Sequence, residues 1–433
     1  MILRRFAPLT LSTLCLTALF ALSACDDDGD DDDDQTSEGT MPSDDGTAAP
    51  ELPAVTCTAA ANRIDPTAAR DLTNADFQAL GRGRTGASGT GTTRPTTGTR
   101  YVSAARGDDG SDGSEATPWR TLQHAADTAE PGTAVRIDAS GDYRAFEIHR
   151  SGTADAWIVF TAQDPSAPPR VTGTAGTEAV VDIDASFVVV QGLEITNDHA
   201  GDLGTDAIGI QVQPRAGDIG NIELRNNLVH DVGPGQVEQD SCSYDGHGII
   251  AQAEGHRVSN LVIDGNEIYD ATVGNSEVLV VNGNIADFCV TSNYVHDTNN
   301  IGIDIIGYEK NDTETTRRGM IADNVVLDAS NYWPYCSRGN CTYPYGDESS
   351  DGIYVDGGAD LLIEYNVVGR ADHGIELQSE NGQLIRNVEV AFNVVFNSNY
   401  RNFTLGPAEA SGEHDNQFFD DPRLADAELE SCK

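Results

Sequence analysis

An asparagine recurs in a fixed apolar setting along the second half of the chain, and this repeat limits the possible fold more than any other feature. The repeated segments read LRNNLVHD, IDGNEIYD, TSNYVHD, IADNVVLD, IEYNVVGR and VAFNVVFN. The third residue before each asparagine and the second residue after it are aliphatic in every copy. Apolar residues spaced two apart before a turn are typical of a β-strand with one buried face. The corner asparagines are Asn227, Asn266, Asn293, Asn324, Asn366 and Asn393.

A third strand in each repeat is indicated by a glycine, or a residue in its place, followed by alternating residues. The copies read GIQV, GIIA, VLVV, GIDI, GIYV, GIEL and NFTL, and they begin 22 to 50 residues apart. Three short strands cannot bury their apolar faces alone, whereas coils stacked in parallel can. We therefore predict a solenoid with three strands per coil, inward columns of Val and Ile, and a hydrogen-bonded ladder of corner asparagines.

The start of the repeat region carries a family resemblance. The segment YVSAARGDDGSDGSEATPWRTLQHAADTAEPGTAVRI at residues 101–137, with the coils as far as about Asn399, resembles right-handed parallel β-helix proteins of the pectate lyase-like fold. The resemblance implies an all-β, right-handed parallel β-helix solenoid with an N-terminal capping helix. That fold serves lyases, hydrolases, epimerases, adhesins and phage fibres, so it implies no particular chemistry. The helix would start at Thr117 and Pro118, with an apolar stripe of Trp119, Leu122, Ala125 and Ala126.

The chain begins with a segment typical of a secretory signal. Arg4 and Arg5 precede an apolar stretch, and residues 22–25 read LSAC. This resembles the lipobox of bacterial lipoproteins, in which the cysteine carries fatty chains after cleavage. We therefore expect a lipoprotein signal peptide at residues 1–24 and a lipid anchor at Cys25, which places the protein outside the cytoplasm, on a bacterial membrane or the cell surface. The alternative is an ordinary secretory signal with a chance cysteine.

Composition divides the region between the signal and the repeats. Eight aspartates lie within residues 26–34, which predicts an acidic disordered tether over residues 25–51; loose Ca²⁺ binding and a sorting role are alternatives. Residues 52–99 are predicted as an N-terminal segment with a weak helical pattern and a flexible Gly/Thr-rich linker, and residues 100–433 as the β-helix domain. The net charge of −44 excludes a typical nucleic-acid binder, because phosphates require a basic face.

Six cysteines remain outside the signal and the lipobox, an even number that suits an oxidising compartment. Cys336 and Cys341 bracket a short loop and are candidates for a disulfide. The other four allow three pairings, and the sequence does not select one. Zinc is the competing hypothesis, but no CxxC or HxxxH spacing supports it. These four are Cys57, Cys242, Cys289 and Cys432.

The third strand carries outward polar side chains that form an acidic column. We predict that Asp304, Asp356 and Glu376 are catalytic, with Tyr354 and Gln378 as substrate-binding neighbours. The strand spacing places Asp304 and Glu376 roughly 10 Å apart and Asp356 roughly 8 Å from both. An inverting glycosidase separates its two carboxyl groups by about 6.5 to 9.5 Å. The alternative is a solvated acidic face without catalytic function.

Motifs of two enzyme groups on this fold match only in part. Pectate lyases use Ca²⁺ and a Lys or Arg base; the DDGxD calcium motif is absent, and Lys310, the candidate base, lies in a loop where a solvated lysine is the alternative. Ca²⁺ is the cofactor considered, and no metal ligands are assigned. Polygalacturonases carry a GHG element, which residues 246–249 match, and His247 within it is predicted to bind substrate; their paired aspartates and RIK element are missing. Lyase and hydrolase chemistry both stay open.

Two further groups of residues are candidates. Asp351 and His373 precede the glycines of adjacent strands, so they could form a proton-transfer pair or an ordinary ion pair at a turn. The loop over residues 330–350 holds five aromatic residues, and Trp333 and Tyr345 are predicted to stack on sugar rings; packing against the Cys336 and Cys341 loop is the alternative.

These features predict a surface-anchored protein that binds and degrades a polysaccharide, as a lyase or a glycoside hydrolase, in a groove along one β-helix face. The alternative function is a non-catalytic adhesin or glycan-binding module. We expect a monomer that interacts with a glycan and with the membrane, and with no nucleic acid.

Overall fold

A computed structural model describes residues 56–61, 63–86, 89, 91–199, 205–233, 245–274, 276–309, 314–332 and 349–426. The fold is a right-handed parallel β-helix, as predicted, and every pairing between its strands is parallel in the described ranges. The first nine strands are β1 Gly98–Val102, β2 Thr133–Ile137, β3 Tyr143–Arg144, β4 Phe146–Ile148, β5 Ile158–Ala162, β6 Arg170–Thr172, β7 Ala179–Ile183, β8 Val188–Gln191 and β9 Glu194–Asp198.

The remaining strands belong to the asparagine-anchored coils. They are β10 Ala207–Val212, β11 Ile219–Arg225, β12 Leu228–Gly233, β13 Gly246–Asp264, β14 Glu267–Ala271, β15 Leu279–Thr291, β16 Tyr294–Thr298, β17 Ile303–Ile306, β18 Arg317–Ala322, β19 Val325–Ala329, β20 Asp351–Asp356, β21 Ala359–Glu364, β22 Val367–Gly369, β23 His373–Leu377, β24 Ile385–Ala391, β25 Val394–Phe396, β26 Arg401–Leu405, β27 Ala408–Glu409, β28 Gly412–His414 and β29 Gln417–Phe419.

The strands form three faces. Face A contains β7, β10, the first half of β13, the first half of β15, β17, β20, β23 and β26. Face B contains β8, β11, the second halves of β13 and β15, β18, β21 and β24. Face C is the sheet of ten strands from β3 to β29. Faces A and B form one sheet because β13 and β15 continue through the corner between them.

The corners depend on backbone conformation that recurs at fixed distances from each asparagine. A residue with left-handed φ lies one position before each of the six asparagines, and others lie six before and four after. Asn, Asp and Gly adopt this conformation at the lowest cost, which explains their frequency in the repeat. The residues directly before the asparagines are Asn226, Gly265, Ser292, Asp323, Tyr365 and Phe392.

The asparagine ladder is present as predicted. The Oδ1 atom of Asn293 accepts hydrogen bonds from the backbone N–H and Nδ2 of Asn266, at 3.0 Å each. The Nδ2 atom of Asn293 donates to the carbonyl of Ile263, the aliphatic residue three positions before Asn266. The same pattern of hydrogen bonds continues from Asn227 to Asn416. Asn416 is a seventh member of the ladder, which the repeat in the sequence did not predict. Each buried amide is therefore satisfied by the coil on either side.

The inward columns form the core. Val295 pairs in register with Ile268 on one side and Val326 on the other, and all three are fully buried. The buried apolar residues form one cluster that extends along the solenoid, because the apolar side chains of each coil are buried by the coils on either side.

The capping helix is confirmed, but the predicted start is four residues early. Helix α2, Leu122–Thr128, begins after Thr121, whose side chain accepts a hydrogen bond from the backbone N–H of His124. Trp119 is held in extended backbone by a bridge to Val102, so the helix cannot include it. The predicted apolar stripe is buried in the main core.

The segment before β1, for which the sequence predicted a weak helical pattern followed by a flexible linker, lies against the solenoid. Helix α1, Asn74–Arg82, stacks Phe77 on Phe396 of face C, with ring centroids 4.8 Å apart. A short 3-10 helix, Pro66–Asp71, precedes it. Arg94 forms an ion pair with Glu223 on face B. Contacts of this kind form between residues far apart in sequence, so local composition does not reveal them.

A disulfide joins Cys57 to Cys289, one of the pairings that the sequence left open. The other cysteines considered, Cys242, Cys336, Cys341 and Cys432, lie outside the described residues. Cys25 also lies outside them. Within the described ranges, no helix is long and apolar enough to cross a membrane.

Candidate functional site

The outward positions of face A bring the predicted acidic residues together. In register, Asp304 of β17 lies beside Tyr354 of β20, which lies beside Glu376 of β23 and then Thr404 of β26. Asp356 lies at the end of β20, two residues beyond Tyr354. The spacing of strands, about 4.8 Å, therefore separates the backbones of Asp304 and Glu376 by roughly 10 Å, as the sequence predicted.

These outward carboxyl groups are shielded from water, which the sequence did not predict. Asp304 is 2% exposed, Asp356 is 7% exposed and Glu376 is 8% exposed. Oδ1 of Asp304 has no hydrogen-bond partner in the described structure. Burial raises the pKa of Asp304 well above its ordinary value, and the negative charges of Glu277 and Asp356 raise it further. Asp304 therefore keeps its proton where an exposed aspartate would lose it.

Asp356 is also perturbed, although its carboxylate is hydrogen-bonded. Burial raises its pKa to about 7, against the opposing effect of hydrogen bonds to the ionised form. Its Oδ1 accepts from the backbone N–H of Glu380 at 2.6 Å, and its Oδ2 accepts from Nδ2 of Asn381 at 3.2 Å. The two carboxyl groups therefore have different environments. That of Asp304 has an oxygen without a hydrogen-bond partner, whereas that of Asp356 accepts hydrogen bonds from two donors.

Glu277 belongs to the same site, although the sequence did not lead us to predict it as a site residue. It directly precedes the VLVV strand, at the position that His247 occupies before Gly248 and Asp351 before Gly352. Burial, followed by the charge of Asp245, raises the pKa of Glu277 to about 8. The signal was the alignment of the third strands, in which this position is polar in five of the seven copies.

His247 lies next to Glu277, but it is fixed by the backbone. Its Nδ1 donates to the Glu277 carbonyl oxygen at 2.8 Å. Burial lowers the pKa of His247, so the ring is neutral at pH 7.

Tyr354 and Gln378, two of the predicted binding residues on face A, differ in exposure. The hydroxyl of Tyr354 donates to the Glu380 carboxylate at 3.3 Å, and burial raises the pKa of this tyrosine strongly. Tyr354 is buried, so it supports the acidic residues around it more than it offers a surface for sugar. Gln378, in contrast, is exposed beside the column.

The predicted pair of Asp351 and His373 is part of a larger cluster. The two residues are opposite each other in register on β20 and β23. The short contact of His373 is nevertheless with Glu376, whose Oε2 lies 2.6 Å from Nδ1. One ligand atom from each of Asp351, His373 and Glu376 lies within 4.8 Å of the others.

Three predicted residues lie outside the described part of the chain. These are the candidate base Lys310 and the candidate stacking residues Trp333 and Tyr345. Among the residues that the structure does describe, no Arg or Lys forms an ion pair with Glu277, Asp304, Asp351, Asp356 or Glu376. The site is therefore a set of shielded carboxyl groups with two imidazoles and, in the described ranges, no ion-paired Arg or Lys.

Comparison with known proteins gives limited similarity. No protein-family model matches the sequence. The protein YwoF of Bacillus subtilis (strain 168) is 33% identical over 322 residues, which cover 71% of this chain and 64% of YwoF. The chain thus spans less than two thirds of the length of this relative.

Two solved structures align with the chain at low sequence identity. A GH136 lacto-N-biosidase from Eubacterium ramulus aligns with a TM-score of 0.49 and 16% identity, over 74% of this chain and 67% of that one. Pectate lyase Pel9A gives a TM-score of 0.46 and 12% identity, over 77% of this chain and 82% of that one. At this level of similarity no residue role is transferred, and the site is interpreted from its own geometry.

Proposed function

We propose that this protein hydrolyses a polysaccharide in a groove along face A, with Asp304 as the proton donor. The observation that carries the proposal is the environment of Asp304: it is buried at an outward position, one of its oxygens is unpartnered, and other carboxylates surround it. A general acid for glycoside cleavage must hold its proton near neutral pH, and burial among carboxylates produces that state.

Asp356 is the proposed general base. It lies one strand from Asp304 and two residues further along, which separates the two backbones by roughly 8 Å. Two carboxyl groups that project from backbones at this separation can lie within the range of about 6.5 to 9.5 Å that separates the carboxyl groups of inverting glycosidases and admits a water molecule. In this reaction Asp304 donates its proton to the glycosidic oxygen as the C1–O bond breaks. Asp356 accepts a proton from the attacking water, and the product has an inverted anomeric configuration.

The charge of the site favours hydrolysis of a neutral glycan over elimination from a uronate. Elimination requires a base that removes a proton next to a carboxylate, and a cation that neutralises that carboxylate. The carboxyl groups around Asp304 have no ion-paired Arg or Lys in the described ranges, so no paired cationic side chain is available there to neutralise the carboxylate of a uronate. Ca²⁺-assisted β-elimination is the alternative that the experiment below distinguishes.

We further propose that a lipid at Cys25 anchors the protein outside the cytoplasm. The lipobox-like residues 22–25 and the acidic stretch after them support this proposal. The Cys57–Cys289 disulfide supports it independently, because disulfides persist in oxidising compartments. An anchored hydrolase of this kind would act on glycans at the cell surface.

The test is activity against neutral and uronate-containing glycans, measured as new reducing ends and as the absorbance of unsaturated products. We expect reducing ends without unsaturated products, and a loss of 10²- to 10⁴-fold in rate for Asp304→Asn. Asp356→Asn and Glu376→Gln complete the set of variants. Because the Asn side chain matches Asp in shape and removes a buried acid, Asp304→Asn should melt no lower than the unmodified protein.

The matched control is Glu389→Gln on face B, whose side chain is 59% exposed. It should retain full activity. Unsaturated products that form only with Ca²⁺ would show that the reaction is β-elimination and would contradict the proposed hydrolysis. Glycan binding without any product would leave only the non-catalytic alternative, and its site would then be sought at Trp333 and Tyr345.

A further inference from the structure

Three metal-ligating side chains converge at the edge of the acidic column. Asp351 and His373 are register partners on β20 and β23, and Glu376 lies three residues after His373 on the same strand. Their ligand atoms all lie within 4.8 Å of one another. Two adjacent, hydrogen-bonded strands supply all three groups, so the arrangement is held by the sheet itself and not by a loop.

The Asp351 carboxyl group lacks a hydrogen-bond partner on one oxygen. The residue is 5% exposed, yet its Oδ1 atom has no partner in the described structure. Nδ1 of His373 also makes no properly oriented hydrogen bond, although it lies 2.6 Å from Oε2 of Glu376. Shielded polar atoms of this kind are costly when they are left unsatisfied, and both belong to residues whose ligand atoms lie within 4.8 Å of each other.

The charge of the cluster calls for a cation. Two carboxylates and one imidazole meet there, and within the described ranges no Arg or Lys forms an ion pair with them. Arg401, the register partner of His373 on the next strand, instead lies over the ring of Tyr400 at 4.9 Å. A divalent ion would balance the charge of both carboxylates in their ionised form and occupy the free lone pairs at once.

The backbone around these ligands is fixed by a second set of hydrogen bonds. Asp372, next to His373, accepts from Oγ of Ser330 at 2.7 Å and from Nδ2 of Asn399 at 2.6 Å. Ser350, next to Asp351, donates through Oγ to the Ala329 carbonyl at 3.0 Å. These bonds orient the two strand ends from which the ligands project, as supporting residues do around metal centres.

We propose that Asp351, His373 and Glu376 bind a divalent transition-metal ion of the Zn²⁺ type. One imidazole nitrogen with carboxylate oxygens suits Zn²⁺, whereas Ca²⁺ prefers six to eight oxygen ligands. At bond lengths of about 2.0 to 2.2 Å the donor atoms lie about 3.4 Å apart, so binding requires rotations of the side chains. Three protein ligands leave a coordination position for water or substrate. The inference does not rest on the proposed hydrolysis.

The experiment is a titration of the full chain with Zn²⁺ after EDTA treatment and dialysis. We expect one Zn²⁺ per chain by calorimetry, together with a Zn²⁺-dependent rise in melting temperature. Co²⁺ should give the visible absorption of a nitrogen- and oxygen-ligated ion and saturate at the same stoichiometry. Failure of the unmodified protein to take up either ion would overturn the proposal without recourse to any variant.

Variants assign the ion to this site. His373→Gln and Asp351→Asn should each weaken Zn²⁺ binding at least tenfold. The matched control is His414→Gln, because His414 also contacts two carboxylates, at 2.9 and 3.0 Å, but is half exposed on face B. The aspartates of residues 26–34 are present in every variant, so the difference between variants excludes them.

Equal binding by all variants would mean adventitious binding elsewhere, and it would overturn the proposed site. Asp304→Asn separates this inference from the proposed function. It should lose hydrolysis and still bind Zn²⁺ with unchanged affinity.

Discussion

At the scale of single residues, the shielded carboxyl groups are of two kinds. Those at structural positions form ion pairs with arginine, and those at candidate functional positions do not. Glu223 on face B is 1% exposed and forms ion pairs with Arg94 and Arg225. Asp328 is likewise held by Arg370. Asp304 is equally buried, but no ion pair to a basic side chain is present for it in the described ranges. Burial without compensation lowers stability, and such costs are typical of working sites.

The raised pKa of a shielded carboxyl group predicts that the free energy of unfolding falls as pH rises. Glu277 has a pKa of about 8 in the folded protein against an ordinary value of 4.5. Between these values the folded state holds a proton that the unfolded state releases, so the free energy of unfolding decreases as pH rises from about 5 to 8. Glu277→Gln should flatten this dependence in urea unfolding with EDTA present. The exposed control Glu115→Gln should keep the original slope, and equal slopes for all three proteins would contradict the prediction.

At the scale of the coil, register is maintained by two independent devices. The corner ladder fixes each asparagine against its neighbours. Asn293, for example, forms hydrogen bonds with both Asn266 and Asn324. The inward column fixes the strands, since Val295 lies between Ile268 and Val326. A slip by one residue would expose every aliphatic side chain of a strand and break the ladder together.

The register predicts opposite responses at two positions of face C. Val295→Asp places an unpaired charge in a fully buried column, at a cost of several kcal/mol, and should prevent folding. Glu267→Asp should be mild, because Glu267 points outward toward Thr85 and His296. Circular dichroism and size-exclusion chromatography would measure both. Similar behaviour of the two variants would be inconsistent with this register.

At the scale of the whole molecule, the described residues form one compact unit that includes the segment before β1. Phe77 lies in an apolar cluster with Tyr294 and Phe396, and the Cys57–Cys289 disulfide holds the start of the segment. This cross-link spans 232 residues, and closing so long a loop stabilises the folded state by restricting the unfolded chain. An attachment point at Cys25 would therefore be followed by a firmly docked N-terminal segment.

The proposed anchor is tested at this scale. Cys25→Ser should remove the fatty chains, whose buried CH₂ groups contribute about 0.8 kcal/mol each, and release the protein from the membrane fraction. Fractionation followed by a high-salt wash is the measurement. Cys57→Ser is the matched control, because it removes a cysteine but leaves the lipobox intact. A Cys25→Ser protein that remained with the membranes after the wash would refute the lipobox assignment.

The sequence alone determined the coil. Strand periodicity, turn residues and the asparagine at each corner are local patterns repeated many times, so the β-helix, its ladder and the alignment of Asp304, Tyr354 and Glu376 followed from them. The tertiary structure decided what depends on contacts across the sequence. It selected the partner of Cys57, docked the segment before β1, and withdrew outward carboxyl groups such as Asp304 from water. Burial and electrostatic shifts arise from the summed surroundings of a group, and in a solenoid those surroundings come from other coils.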